Sequence, residues 1–250
     1  VGGSRALINS NVPFEYVTPD DLRKGLAARY RVIYLPSMLA ITSDVMEILK
    51  GYVQEGGRLV MDMPGGWYNE YATMLDTGEG SLFQEVFGAT IPDFQYAGNN
   101  RDFHINGMRI AGAMAMPQTR KATVLASFDE GGNAITEYKN GKGTAVILGY
   151  NAATMCFEPG HEQAEKTLVQ HTLGSYSPPY ACEGAIVYRL ASEKADHYFF
   201  MNDGPARKVR FDTGDYRYSR VTDALTGETL QPGDPVDLEG HSARWLRFER

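Results

Sequence analysis

The run RVIYLP, residues 31–36, is apolar and β-branched without alternation, the pattern of a strand covered on both faces of a parallel sheet. Pro36 ends it. Thr42 and Ser43 can cap a helix in which Val45, Leu49, Tyr52 and Val53 recur at spacings of three and four, and Gly56-Gly57 stops it in the left-handed region. RLVMDM then resumes a strand. Strand, helix and strand in this order predict a βαβ unit, with a right-handed crossover that puts the helix on one sheet face.

The pattern continues on both sides of this unit. FEYV predicts a short strand, and Thr18-Pro19-Asp20-Asp21 opens a helix with a cap, a proline and first-turn acid. SLFQEVFG reads as a short amphipathic helix. Between residues 90 and 140, segments such as ATVLASF and AITEY, with Gly-Gly and Asn-Gly turns between them, predict added antiparallel strands. GTAVILGY is another buried strand, and HEQAEKTLVQHTLG is a helix carrying Leu168, Val169 and Leu173. SYSPPY then forbids helix and predicts a linker. Beyond it, GAIVYRL, DHYFFMN, KVRFD, YSRVTDAL, PVDL and SARWLRFE alternate between NDGPA, LTGE and QPGD turns, the signature of a small antiparallel β-sandwich. The expected organisation is a doubly wound, mainly parallel α/β domain over residues 1–176 and an all-β domain over 181–250. The start is atypical: RALINS looks helical where a doubly wound domain normally opens on a strand, and Val1 is not a methionine. Together these features predict a piece of a longer polypeptide.

Composition narrows the function. A chain of 250 residues with 43% hydrophobic content can bury one large core or two smaller ones and reads as soluble and globular. The net charge of −7, without a basic stripe, gives no support for nucleic-acid binding. No run approaches the ~18 apolar residues of a membrane helix, so no membrane partner is expected. Cys156 and Cys182 stand in neither a disulfide framework nor a zinc spacing.

The stretch NVPFEYVTPDDLRKGLAARYRVIYLPSMLAITSDVMEILKGYVQEGGRLVMD resembles the trimerisation domain of family 42 β-galactosidases, a flavodoxin-like fold related to class I glutamine amidotransferases. GKGTAVILGYN and its following helix look like the end of that domain, and the module containing VTDALTGETL looks like the sandwich that follows it. The resemblance implies that a catalytic (β/α)8 barrel precedes these parts, that the chain associates with itself as a homotrimer, and that it helps wall a β-galactoside site.

Candidate chemistry is sparse. A retaining glycosidase needs two carboxylates about 5 Å apart. Asp62 lies within a strand, while Asp44 and Glu47 lie on a helix, so no pair is expected and no catalytic residue is assigned. Cys156, Glu158 and His161 lie close in NAATMCFEPGHEQ but lack the elbow of a thiol nucleophile, and a structural thiol is expected. His161 and Glu165 are four apart without a third ligand, so neither metal nor cofactor is expected. His104, His171, His197 and His241 read as ordinary hydrogen-bonding residues. Trp67, Tyr68 and Asn69, with Tyr150 and Asn151, follow strand ends, where α/β sheets place ligands; they are expected to serve subunit contact or sugar binding. Tyr216, Tyr218 and Trp245 are expected to fill or edge the sandwich, with a carbohydrate platform as the alternative. The rival to the assembly reading is a free-standing amidotransferase-like or ThuA-like protein that handles a sugar-derived small molecule. A pure carbohydrate-binding module is a third.

Overall fold

The computed structural model describes residues 2–98, 101–157 and 161–250. The chain divides into two compact units, Val1–Gly3 with Tyr16–Gly174 and Ser4–Glu15 with Ser175–Arg250. Residues 4–15 therefore group with the all-β part and not, as expected, with the α/β part. The reason is local. After helix α1 (Gly2–Asn9), Asn11 takes a positive φ of 55°; its side chain donates to the carbonyls of Cys182 and Ala185 at 2.8 and 3.0 Å and accepts the Val187 amide at 2.7 Å. The strand expected over FEYV is not formed: residues 12–18 carry no regular structure, and Pro13 has no amide with which to join a ladder.

The α/β unit is built on one five-stranded sheet. β1 (Val32–Leu35) pairs in parallel with β2 (Arg58–Asp62); β3 (Thr123–Ser127), β4 (Asn133–Asn140) and β5 (Gly143–Leu148) complete it in the order β1-β2-β5-β4-β3. β5 is parallel to β2, whereas β4 is antiparallel to both β5 and β3. The sheet is thus mixed, not mainly parallel. Asn140-Gly141 explains the change of direction: Gly141 has φ of 61°, and so short a connection between β4 and β5 can join only antiparallel strands. The antiparallel strands expected over ATVLASF and AITEY are β3 and β4, and between β2 and β3 the chain adds two further antiparallel ribbons, Phe94–Ala97 with Gly112–Ala115 and Phe103–Ile105 with Met108–Ile110.

Helix α2 (Pro19–Arg23) carries the expected capping box between Thr18 and Asp21. Helix α3 (Ser43–Gln54) is the crossover between β1 and β2; it buries Val45, Met46, Leu49 and Val53 against Ile33, Leu35, Leu59, Met61, Ala145 and Ile147. Helix α4 (Leu82–Phe87), capped by the Ser81 side chain, adds Phe83, Val86 and Phe87 to the same core. Strand alternation turns Arg58, Val60 and Asp62 to the other face. Helices α5 (Ala152–Met155) and α6 (His161–Leu173) follow β5, and the last turn of α6 meets Arg58. The Arg58 guanidinium, buried with its side chain 7% exposed, donates to the carbonyls of His171 at 2.7 Å and Thr172 at 3.1 Å, to Glu137 at 2.5 Å and to the Thr144 hydroxyl at 2.9 Å. It closes the C-terminus of α6 and cross-links three strands.

The second unit is all-β. β6 (Ile186–Ala191), β7 (Ala195–Asn202), β8 (Arg220–Asp223), β9 (Thr229–Leu230) and β10 (Ser242–Glu249) form an antiparallel sheet in the order β6-β7-β10-β8-β9. Tyr198, Phe200, Leu246, Phe248 and Val221 point inward and pack against Val209, Val236 and Leu238 of the ribbon Arg207–Val209 with Val236–Leu238. Among the described residues no helix is long and apolar enough to cross a membrane.

Candidate functional site

The carboxyl ends of β1, β2 and β5 meet at Asp62, which is 0% exposed. Its Oδ2 accepts the Tyr34 hydroxyl at 2.7 Å and the Ala153 amide at 2.8 Å, and its Oδ1 accepts the Ser37 amide. Tyr34 lies on β1, Ser37 in the turn after it with φ of 47°, and Ala153 on α5 beyond β5. One carboxylate therefore holds three neighbouring strand ends in register. The Ser37 hydroxyl lies 3.3 Å from both the Met63 carbonyl and Asn151 Oδ1, and Asn151 Oδ1 also caps α5 through the Thr154 amide at 3.0 Å.

Burial dominates the electrostatics of this cluster. It pushes the Asp62 carboxyl up to about 6, against the opposing pull of the Tyr34, Ala153 and Ser37 donors. Burial, reinforced by the Asp62 charge, also raises the phenols of Tyr34 and Tyr150. A folded value above the ordinary 3.8 means that the folded chain binds the proton more tightly than the unfolded one. The stability from Asp62 is therefore full below about 3.8 and is lost as the pH rises through 6. That shift corresponds to roughly 3 kcal/mol. Urea unfolding of wild type and Asp62→Asn should accordingly differ in slope between these limits, with the wild type losing stability relative to the variant as the pH rises. Parallel profiles would remove Asp62 as the titrating group.

The second feature is a ladder of loops above the same sheet edge. The chain leaves β2 through a cis Met63–Pro64 bond and Gly65-Gly66, and the Trp67 and Tyr68 amides donate to the Leu39 carbonyl at 2.9 and 3.0 Å. Tyr68 bridges to Ala40 on one side and Met74 on the other. Asn69 Oδ1 accepts the Tyr71 amide at 3.0 Å, the Thr73 amide at 3.2 Å and the Thr73 hydroxyl at 3.0 Å; Glu70 accepts the Ser43 hydroxyl at the start of α3, at 3.1 Å. The loop is held at both ends by its own side chains. What it presents outward is Tyr71, 79% exposed, with Met74 at 63% and Leu39 at 43%.

The sequence-derived residues fall into different roles. The Trp67 ring is half-buried, packs edge-on to Phe94 at 5.1 Å, and its indole N–H is buried without a partner. It supports the loop from beneath. Tyr68 is half-buried, and Asn69 shapes the turn as described. Tyr150 is 1% exposed and gives its carbonyl to the Met63 amide at 3.1 Å, while Asn151 caps α5. The Ser37–Leu39 segment lies between the pairs, touching Asn151 at one end and Trp67 and Tyr68 at the other. Cys156 is buried and its thiol donates to the Ala152 carbonyl at 3.4 Å; Glu158 and the His161 side chain lie outside the described residues. No group of three metal-ligating side chains occurs among the described residues. His104 pairs with Glu130 at 2.6 Å, and His197 accepts the Trp245 indole at 3.0 Å.

Sequence reasoning weighed Asp62 only as a catalytic carboxylate and took Tyr71 only as the end of the Gly65 to Tyr71 loop, with no role of its own. For Asp62 a signal existed: a carboxylate within RLVMDM, a strand covered on both faces, must have donors waiting for it. For Tyr71 and Met74 there was none, since exposure in a long loop leaves no periodicity.

The β-galactosidase trimerisation domain family matches residues 5–171. The chain belongs to that family. Among solved structures, Gan42B, a GH42 β-galactosidase from G. stearothermophilus, superposes with a TM-score of 0.79 at 18% identity, covering 100% of this chain and 36% of that one. The β-galactosidase from Bacillus circulans sp. alkalophilus gives 0.78 at 18% identity, covering 99% and 36%. That of the haloarchaeon Halorubrum lacusprofundi gives 0.69 at 14%, covering 100% and 35%. At such identities the likeness shows the fold. It extends through the all-β unit as well as the trimerisation domain, and the chain spans about a third of the length of these structures. Curated protein sequences give no match.

Proposed function

We propose that this chain is the assembly segment of a β-galactosidase-type glycoside hydrolase, and that it brings copies of itself together as a trimer. The observation that carries the reading is the family match over residues 5–171. The hydrogen-bonded loop that lifts Tyr71 and Met74 into solvent, with exposed Leu39 on the segment beside it, supplies the surface. A closed ring of three copies uses heterologous contacts, in which one patch meets a different patch on the neighbour, and apolar anchors on a preordered loop suit such a contact. The Asp62 cluster supports the same reading. Its donors are spent on holding strand ends together, which positions the Ser37–Leu39 segment beneath the loop.

Two finer elements belong to the proposal. The three parallel strands with α3 on one face and α6 at the other are what remains of a flavodoxin-like, amidotransferase-related ancestor. The loop side of the sheet, where strand carboxyl ends gather, borders a β-galactoside site completed by the rest of the enzyme. Light scattering across a concentration series tests the assembly: the mass should rise towards three times the 27.7 kDa of one chain. A mass that stays at one chain throughout would refute it.

A further inference from the structure

The all-β unit contains a cleft that nothing in the assembly reading uses. Its volume is about 270 Å³, and it lies between the 212–217 and 231–234 loops, over a floor that includes Phe211, Leu230, Val236 and Phe248. This is slightly below the roughly 300–1,000 Å³ of sites for drug-sized ligands, so it suits one ring rather than a chain of them.

Both walls are ordered by their own bonds. In one, Asp212 Oδ1 accepts the Gly214 amide at 2.8 Å, the Thr213 hydroxyl donates to the Tyr216 carbonyl at 3.1 Å, and Arg217 donates to the Gly214 carbonyl at 2.7 Å. In the other, Asp234 Oδ2 accepts the Gln231 amide at 3.1 Å and the Asp234 amide donates back to the Gln231 carbonyl at 3.1 Å. Each aspartate thus spends one oxygen on its own turn and leaves the second, Asp212 Oδ2 or Asp234 Oδ1, without a protein donor among the described residues. Tyr216 and Tyr218 also line the cleft, with ring centroids 6.3 Å apart. Arg189 holds Tyr216 in place, with its guanidinium carbon 4.2 Å from the ring centroid and a 3.0 Å bond to the hydroxyl. Tyr218 is fixed by Asp196 at 2.6 Å and Tyr198 at 2.7 Å.

An apolar floor, two fixed phenol rings and carboxylate oxygens on opposite walls define the ligand chemistry. Hydroxyl groups donate strong charge-assisted bonds to carboxylates, and an aliphatic C–H face packs on aromatic rings. Asp212 and Asp234 outnumber Arg217, the one cation among the lining residues, so the charge balance disfavours phosphate or carboxylate ligands. We propose that this cleft binds a single neutral sugar ring, with its hydroxyls on Asp212 and Asp234 and its C–H face against Tyr216 and the apolar floor. The walls are prebuilt, so little ordering cost opposes binding, and the small contact area sets the affinity at roughly the millimolar level.

The test is NMR titration of the isotope-labelled full chain with methyl β-galactoside, methyl β-glucoside and, as a cationic probe, tetramethylammonium. Saturable amide shifts confined to residues 211–218 and 230–236 with a sugar are expected. Asp212→Asn and Asp234→Asn keep the oxygen that accepts the turn amide, so the loops hold, while the second oxygen becomes a donor. Each should weaken the sugar by about tenfold or more, since a hydroxyl then meets an N–H instead of an oxyanion. Absence of saturation by either sugar, shifts centred elsewhere, saturation by tetramethylammonium in place of sugar, or undiminished binding in both variants would overturn the assignment. If a variant fails to fold, the wild-type shift map decides alone. Because the assembly reading is tested by mass and this one by shifts in the other unit, either can fail without the other.

Discussion

Arg58→Ala should remove about 3 kcal/mol or more from the stability of the α/β unit, the range found when one partner of a buried, hydrogen-bonded ion pair is deleted. The guanidinium has a distinct acceptor for almost every N–H: the carbonyls of His171 and Thr172, the Glu137 carboxylate and the Thr144 hydroxyl. Alanine would leave the last carbonyls of α6 without donors. It would also open a void beside Gly174, whose backbone approaches so closely that a Cβ there would stand 2.6 Å from the Arg58 guanidinium carbon. Glu137 is 31% exposed and can recover water, which keeps the loss towards the lower end of the range. For a domain stable by ~5–15 kcal/mol this is a large fraction. Lysine keeps the charge but cannot reach the helix carbonyls and the Glu137 carboxylate at once, so Arg58→Lys should lose an intermediate amount. Urea unfolding with hydrogen exchange of residues 168–174 reads both effects. A loss below about 1 kcal/mol, with protection of α6 unchanged, would show that the helix end is held by something else.

Arg58 and Asp62 also show where sequence reading works and where it stops. The βαβ unit was legible because each of its elements carries a local signature: the unbroken apolar run of β1, the three-four spacing of α3, and glycine at the stop. The capping box at Thr18 and the Asn140-Gly141 hairpin were legible for the same reason. Misread features depend on distant partners. FEYV has the residues of a strand, yet Asn11 beside it bonds residues more than 170 positions away, and the segment follows that tether. Arg58 and Asp62 stand at the ends of a strand; the apolar run around Asp62 signals that it needs donors, but only the fold shows which distant segments supply the partners of each. At the loop, the sequence pointed to Trp67 and Tyr68 as the outward anchors, whereas both are half-buried and Tyr71 is the exposed ring. Tryptophan has the greater contact area, but Phe94 from the ribbon, which no local pattern ties to Trp67, draws its ring inward.

That inversion fixes the sharpest test of the assembly surface. Tyr71 and Met74 should be the anchors, and Tyr71→Glu with Met74→Glu should weaken self-association by at least ~100-fold, the scale of paired interface hot spots. The geometry favours a large effect. Asn69 spends its side-chain oxygen on Tyr71 and Thr73, Glu70 binds the first turn of α3, and Ala72 holds a left-handed φ of 56°, so Tyr71 stands on a loop already fixed and loses little entropy on contact. Leu39 lies on the neighbouring rung through the Tyr68 amide and extends the apolar area. Neither substituted side chain reaches into the core, so circular dichroism and thermal melting should match the wild type while light scattering shows one chain at concentrations where the wild type associates. Trp67→Ala should behave oppositely, lowering the melting temperature because it removes the ring packed on Phe94. If the Tyr71 and Met74 variant assembles as the wild type does, the loop is not the contact. If Trp67→Ala dissociates the chain without loss of stability, the indole itself reaches the neighbour.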